Sequence, residues 1–440
     1  MFCSLFAKTI GNLTSLCYNI LMRKVVDFKS GLKLSIATNE AVRSIAIGVF
    51  VGAGVVVEKP EENGISHFIE HMVFKGTKTR SAYDIVREMD AIGAQINAAT
   101  SKSYTCFYTT SLDTNAEKCM DVLADMYFNP VFDAEELERE RKVIYEEIDE
   151  CEDDPFDVCA EHASSEVLKG TPYGKTILGT KDSLAKLSNE DLKRYHNEKY
   201  VANNTVLSIS GNVTEERAIE LATKYFEERF DGRTFAIQTV ERAEEHSSFE
   251  SVNKKIEQAH VILAFPSFAY GDERASTLNL LTNVFCSEMS SRLFQSVREK
   301  LGLCYSIGGY PAAYRNNGYY VIYTSTNKAS VEKAVKAIRK EIDLLLADGI
   351  TDEELSMGKE KLKTALVLGQ ESTYSIMKAF GSRLVMTGEL LDIDKMIADI
   401  DKIEKSDVLA VAREIFGNKN VCATLVSNGV KTDVLKVFEE

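Results

Sequence analysis

Hydrophobic positions recur with strand character over residues 32–37 and 44–51, and residues 65–74 follow as a short helix whose apolar positions are Ile65, Phe68, Ile69, Met72 and Val73. Helical periods then cover residues 84–92, 115–126 and 134–150, with strands at 95–99 and 105–110 between the first two. A strand at 205–210 and a helix at 215–230 close this half, and the acidic, weakly periodic run 239–248 reads as a linker. Beyond it the order of elements returns: a strand at 260–265, helices at 275–285 and 291–300, and two more strands. The clearest parallel sets the stretch from Ile92-Gly93 to a helix at Ala116 beside the stretch from Leu301-Gly302 to a helix at Val331. Each is a Gly-started strand, a hairpin, an aromatic-rich strand and a helix.

This pattern predicts an α+β protein of two similar domains made by internal duplication, each a mixed, largely antiparallel sheet covered by helices. The expected boundaries are an N-terminal extension over 1–24, a first domain over 25–235, a linker over 236–250 and a second domain over 251–440. A length of 440 residues agrees with two domains, because single cores usually stop growing at roughly 250–300 residues. Hydrophobic residues at 45% and charged residues at 27%, with no low-complexity tract, belong to a folded protein.

Charge removes one class of partner. At a formal net charge of -15, the chain lacks the basic excess by which proteins hold a phosphate backbone, so no nucleic-acid partner is expected. The nine cysteines, at 3, 17, 106, 119, 151, 159, 286, 304 and 422, form no CxxC pair and no disulfide framework, which points to a reducing, cytoplasmic setting. Residues 1–21 carry Lys8 as their one charge and are interrupted by Asn12, Thr14 and Asn19. That fits no membrane span, secretory signal or Arg-rich transit peptide, and Met22 before Arg23-Lys24 is a candidate start.

Candidate chemistry concentrates in His67-Phe68-Ile69-Glu70-His71. On a helix, two imidazoles four residues apart project from one face with Cβ atoms roughly 5–6 Å apart, which suits a shared metal. The apolar positions of the same helix anchor its other face, and Glu70 lies one turn from His67, within reach of a metal-held water. A catalytic zinc needs a third protein ligand and an open position. The helix at 134–150 can supply that ligand, since Glu140, Ile144, Glu147 and Cys151 share a face. Any one Glu of 135–140 or 146–147 is by itself an ordinary solvated helix position, and composition does not choose Glu147 over Glu146. With six histidines in the chain, a chance HxxEH is on the order of one in a hundred. His162, His196, His246 and His260 are isolated, as structural histidines usually are, and receive no role. The second half has Leu278, Leu280 and Leu281 on the helix that corresponds to the metal helix, so one half alone can hold this metal.

The run from Asn63 through His67, Glu70 and His71 to Lys75-Gly76-Thr77 resembles the pitrilysin-type inverzincins, relatives of insulin-degrading enzyme and mitochondrial processing peptidase, in their bacterial processing-peptidase-like branch. The likeness extends from about Val25 to the C-terminus. It implies zinc held by His67, His71 and by Glu147, which matches the family's Val-Ile-x-x-Glu context in Val143-Ile144-Tyr145-Glu146-Glu147. It further implies Glu70 as base and Glu140 as the carboxylate that supports the site. Asn97-Ala98-Ala99-Thr100 resembles the exposed edge strand on which an extended substrate adds through main-chain hydrogen bonds, although without the resemblance an ordinary hairpin is the favoured reading of that stretch, by about two to one. Arg298 and Tyr305 match the pair that contacts substrate near the scissile bond. The departure is at Cys286-Ser287-Glu288, where the family commonly has a run of glycines.

The function implied is a zinc-dependent endopeptidase acting on peptides or unfolded polypeptide segments in an enclosed chamber. The rival is a catalytically silent polypeptide-binding subunit of a processing-peptidase-like complex, and a purely structural zinc protein is disfavoured because no fourth ligand is evident. The resemblance also implies a partner. Relatives with four such domains in one chain form a clamshell, so this two-domain chain is expected to pair with a second copy or a homologous subunit, with Arg298 and Tyr305 serving the partner's zinc site.

Overall fold

The computed structural model describes residues 22–440, so most of the expected N-terminal extension lies outside the described residues. The chain forms two compact units, each built on a mixed sheet. The first sheet comprises β1 (Met22–Asp27), β2 (Lys33–Thr38), β3 (Ser44–Val51), β4 (Gln95–Thr100), β5 (Thr105–Leu112) and β6 (Thr205–Gly211), in the order β1-β2-β6-β3-β5-β4. The second comprises β7 (Ser248–Asn253), β8 (Gln258–Pro266), β9 (Cys304–Tyr314), β10 (Asn317–Asn327) and β11 (Cys422–Ser427), in the order β7-β11-β8-β10-β9.

Without β1, the two orders superpose strand for strand. Each sheet has a single parallel pair, β2 with β6 and β7 with β11, and every other pairing is antiparallel. The duplication expected from the sequence is therefore written in the hydrogen-bond topology. Two expected boundaries shift. β1 reaches back to Met22 and pairs with Thr38, so 22–24 belong to the sheet rather than to an extension. At the other junction Ser248 is already in β7, opposite Cys422, and the polar composition of that strand conceals its main-chain pairing. Ahead of it, Asn317 pins the connecting segment, its Oδ1 accepting from Ala243 N at 2.8 Å and its Nδ2 donating to Glu241 O at 2.9 Å.

The units are not contiguous halves of the chain. The first runs to Lys142 and adds Asp182–Gln238 and Gly369–Leu391, while the second takes Val143–Lys181, Thr239–Leu368 and Asp392–Glu440. In the first unit the helix Thr373–Thr387 lies against β3 and β6, with Met377 and Leu384 in a core shared with Ala46, Phe50, Cys106 and Val206. Two glycines allow this close approach: a Cβ on Gly48 would sit 2.3 Å from Met377 Sδ, and one on Gly381 would sit 2.1 Å from Phe50. Ser208 Oγ also donates to Met377 O at 2.8 Å. In the second unit the helix Pro155–Val167 covers β8 and β11 in the same manner, and Cys159 Sγ donates to Thr424 O at 3.5 Å. Asp154-Pro155 separates this helix from Ala134–Asp153, since proline disfavours helical backbone in the residue before it.

The second unit departs from the expected helices in one respect. The helix Ala275–Thr282 continues as a π-turn at Asn283–Ser287, and Phe294–Lys300 is wound as a π-helix. Such wider turns replace the regular α geometry expected for 275–285 and 291–300. No described helix is long and apolar enough to cross a membrane, and the described cysteines are unpaired.

His196 shows what an isolated histidine does in the first unit. It is buried, stacks on Tyr200 at 4.3 Å between ring centroids and donates from Nε2 to Tyr127 O at 2.9 Å. Burial pushes its pKa from 6.5 down to about 4, against the smaller effect of the Tyr127 hydrogen bond. An unfolded chain therefore takes up a proton below pH 6.5 that the folded one refuses until about pH 4. Stability from this group is complete above pH 6.5 and is lost as pH falls through that window, by at most about 1.4 kcal/mol per pH unit. His196→Gln should start less stable at pH 7 and lose less Tm between pH 7 and pH 4.5 than the unaltered protein. Parallel pH profiles for the two proteins would remove His196 as a cause.

Candidate metal centre

The helix Ile65–Val73 begins abruptly. Gly64 precedes it with φ +94, a left-handed conformation that suits glycine, and so offers no side chain as a cap. The carboxylate of buried Glu58 fills that role, accepting from Asn63 Nδ2 at 3.0 Å, Gly64 N at 2.9 Å and Ser66 N at 3.0 Å. Negative charge is also favoured at a helix N-terminus. Burial raises the pKa of Glu58, and these hydrogen bonds oppose that rise. Ser66 Oγ meets Tyr195 OH at 2.8 Å, and Ile65, Phe68, Ile69, Met72 and Val73 are buried as the periodicity predicts. Glu58 is the functional-site residue that sequence reasoning missed. The available signal was a helix start at Asn63-Gly64 with no Ser, Thr or Asp at its cap.

The anchored helix turns His67 and His71 to one side, their ring centroids 4.7 Å apart. Burial, and then the neighbouring His71, lower the His67 pKa from 6.5 to about 4, which keeps the imidazole neutral as a ligand must be. Glu147, on the helix Ala134–Asp153, joins them: one ligand atom from each of His67, His71 and Glu147 lies within 4.8 Å of the others. Glu146 beside it is exposed and outside this group. Among the described residues no other His, Cys, Asp and Glu cluster is as compact.

Seven residues before Glu147 on the same helix, Glu140 is buried and bonds to His71 Nδ1 through Oε2 at 3.1 Å. Lys75 Nζ holds the other oxygen of Glu140 at 2.6 Å. An ionised carboxylate can only accept, so His71 carries its proton on Nδ1 and presents the Nε2 lone pair. Two imidazoles, one carboxylate and a buried acceptor behind one of the imidazoles form the donor set of a catalytic rather than a structural zinc site, and the residues fit that ion.

Glu70 is not one of the three grouped residues, and Thr100 Oγ1 donates a hydrogen bond to its Oε2. Thr100 ends β4, the outermost strand of its sheet. Along β4 the side chains of Gln95, Asn97 and Ala99 are exposed while Ile96, Ala98 and Thr100 are half-buried, so Asn97, Ala98, Ala99 and Thr100 alternate across the edge.

In the second unit Arg298 lies on the π-helix Phe294–Lys300 with its guanidinium 4.4 Å from the Phe294 ring centroid. Tyr305 projects from β9 with 73% of its surface exposed. Cys286, in the segment that departs from the glycine-run pattern, is buried with Sγ 2.8 Å from Tyr320 OH. The space it needs comes from Gly309, where an added Cβ would stand 2.6 Å from the sulfur.

Two family models match the chain: Insulinase (Peptidase family M16) over residues 34–181, and the Peptidase M16 inactive domain over residues 186–362. Among curated relatives, the chain is 37% identical to the uncharacterized zinc protease YmxG of Bacillus subtilis over 408 residues, covering 93% of this chain and 99% of that protein. It is 34% identical to an uncharacterized zinc protease of Streptomyces coelicolor, covering 88% and 86%. A crystal structure of a protease from Helicobacter pylori aligns with a TM-score of 0.85 at 20% identity, over 93% of this chain and all of that one. A peptidase M16 inactive domain from Pseudomonas fluorescens aligns with a TM-score of 0.87 at 17% identity, over 93% and 98%. At such identities these two structures speak for the fold.

Proposed function

The chain belongs to the insulinase peptidase family M16, and from that premise we propose that it is a zinc-dependent endopeptidase that cuts peptides or unfolded polypeptide segments inside an enclosed chamber. The observation that carries the reading is the grouping of Glu147, from the helix Ala134–Asp153, with His67 and His71, whose helix also carries Glu70 and is anchored at its start and along its apolar face. His67, His71 and Glu147 would hold a zinc ion, which when bound would supply Lewis acidity for peptide hydrolysis. Glu70 would take a proton from the attacking water and pass it to the leaving amine. Glu140 fixes the His71 ring. The edge of β4 at Asn97, Ala98, Ala99 and Thr100 pairs with the substrate backbone, so recognition depends little on side-chain sequence. Tyr305 donates to the developing oxyanion, and Arg298 holds the peptide beside it. A cytoplasmic setting agrees with the unpaired cysteines.

The working unit in this reading is a dimer, with the zinc and Glu70 from one chain and Arg298 and Tyr305 from the other. A second copy, or a homologous subunit, supplies the missing pair. The test begins with the zinc-loaded protein and a proteome-derived peptide mixture, in which new cleavage products are expected. No cleavage of peptides or unfolded proteins would transfer the reading to a silent polypeptide-binding subunit. Glu70→Gln and Tyr305→Phe proteins, each inactive alone, should then partly recover activity when mixed under subunit exchange. No recovery despite proven exchange would place both residues in one chain's site.

A further inference from the structure

We propose that Thr100 is a positioning residue for Glu70, tying the orientation of the proton-carrying carboxylate to the edge strand. The proposal rests on the peptidase reading given above. Its starting point is the direction of one hydrogen bond. Thr100 Oγ1 lies against Glu70 Oε2 and also 3.3 Å from Thr105 Oγ1. Thr105 spends its own proton on Ala53 O at 2.8 Å and so cannot donate to Thr100. Thr100 has one hydroxyl proton, and an ionised carboxylate is an acceptor only. The proton therefore goes to Glu70, where a charge-assisted bond is roughly twice as strong as the neutral alternative.

What this bond restrains is the loosest part of Glu70. The terminal torsion of a glutamate is broad, so the helix that places the Glu70 backbone does not by itself aim its carboxylate. Thr100 is suited to aim it because its β-branched side chain is stiff at χ1. Its backbone is fixed by pairing with Thr105 at the end of the β4–β5 ladder. The half-buried side chain faces away from the exposed row of Gln95, Asn97 and Ala99. A peptide laid along β4 would steady the same strand that carries the Thr100 hydroxyl, so backbone binding and base orientation would be linked through one residue. The resemblance drawn from sequence groups Thr100 with the substrate-pairing residues, whereas the structure gives its hydroxyl to Glu70.

The test compares Thr100→Val, which keeps the branched shape and removes the hydroxyl, with Thr100→Ser, which keeps the hydroxyl. Each full-length, zinc-loaded protein is assayed on a quenched fluorescent peptide, alongside bound zinc and Tm. Thr100→Val should lower kcat by about 10- to 100-fold with KM, zinc content and Tm little changed, since small errors of position cost rates of that order. Thr100→Ser should recover most of the loss. On a Glu70→Gln background Thr100→Val should change the residual rate little. Unchanged kcat in Thr100→Val, a loss confined to KM, failure of Thr100→Ser to recover, or zinc and Tm falling together with activity would each overturn the proposal. An active parent protein with a fully active Thr100→Val variant sinks this inference alone. An inactive parent protein sinks the peptidase reading and this inference with it.

Discussion

Glu70→Gln is expected to retain one zinc per chain and to lose peptide hydrolysis by about 10²- to 10⁴-fold, the range that a positioned general base contributes. The two halves of that result have separate structural causes. Zinc stays because Glu70 is not among the grouped ligand atoms of His67, His71 and Glu147. The helix that places it is also held by buried Phe68, Ile69 and Met72 and by Glu58 at its start, none of which the substitution touches. Activity goes because an amide of the same shape can still accept the hydrogen bond from Thr100 but cannot carry a proton. Elemental analysis beside a kcat measurement checks both halves. A variant as active as the parent would end the assignment of Glu70 as base, and a variant without zinc would move Glu70 among the ligands.

The centre was legible in sequence to the extent that helical geometry fixes it. Spacings of four for His67 and His71, and of seven for Glu140 and Glu147, put each pair on one face of its helix. The distinction between Glu146 and Glu147 needed more, because both lie on a strongly charged helix. The resemblance supplied the choice, and the structure leaves Glu146 exposed while Glu147 joins the histidines. Glu58 stayed hidden because it acts from an irregular turn on main-chain N–H groups, an interaction with no period.

The fold divides in the same way. Alternation marked β2, β3, β8 and the hairpin strands, and the repeat of elements carried the duplication. Periodicity says that Thr373–Thr387 has an apolar face, yet nothing along the chain says that this face is meant for β3 and β6 of the first unit. The complementarity that decides it, Gly48 against Met377 and Gly381 against Phe50, joins residues far apart in sequence. β7 was missed because its first three residues fell within the expected linker and its apolar residues, Phe249 and Val252, are three apart and so break the period-2 alternation of a strand.

His67→Ala and His71→Ala are each expected to abolish stoichiometric zinc binding, since each removes one of three protein ligands and leaves the ion a two-ligand site. The carboxylates should then rank by whether they belong to the ligand group or only support one of its members. Glu147→Gln replaces a charged ligand by a neutral amide and should weaken zinc most. Glu140→Gln leaves all three ligands but unsettles the His71 ring and its Nδ1 proton, which corresponds to a roughly 10- to 100-fold loss of affinity for such a supporting carboxylate. Lys75 would lose its ionic partner in the same variant, so Lys75→Met should reproduce part of that loss. Glu146→Gln, on an exposed side chain outside the group, should bind zinc as the parent does. Competition against a metal-sensitive chelator measures the whole series without reference to catalysis. If Glu146→Gln were weaker than Glu147→Gln, the ligand role would pass to the neighbouring residue; if either histidine variant kept full occupancy, the centre would be misplaced. The expected order, histidines and Glu147 before Glu140, then Lys75, then Glu146, follows from which side chains belong to the ligand group, which bond to one of its members, which bond only to that supporting carboxylate, and which stand outside all three.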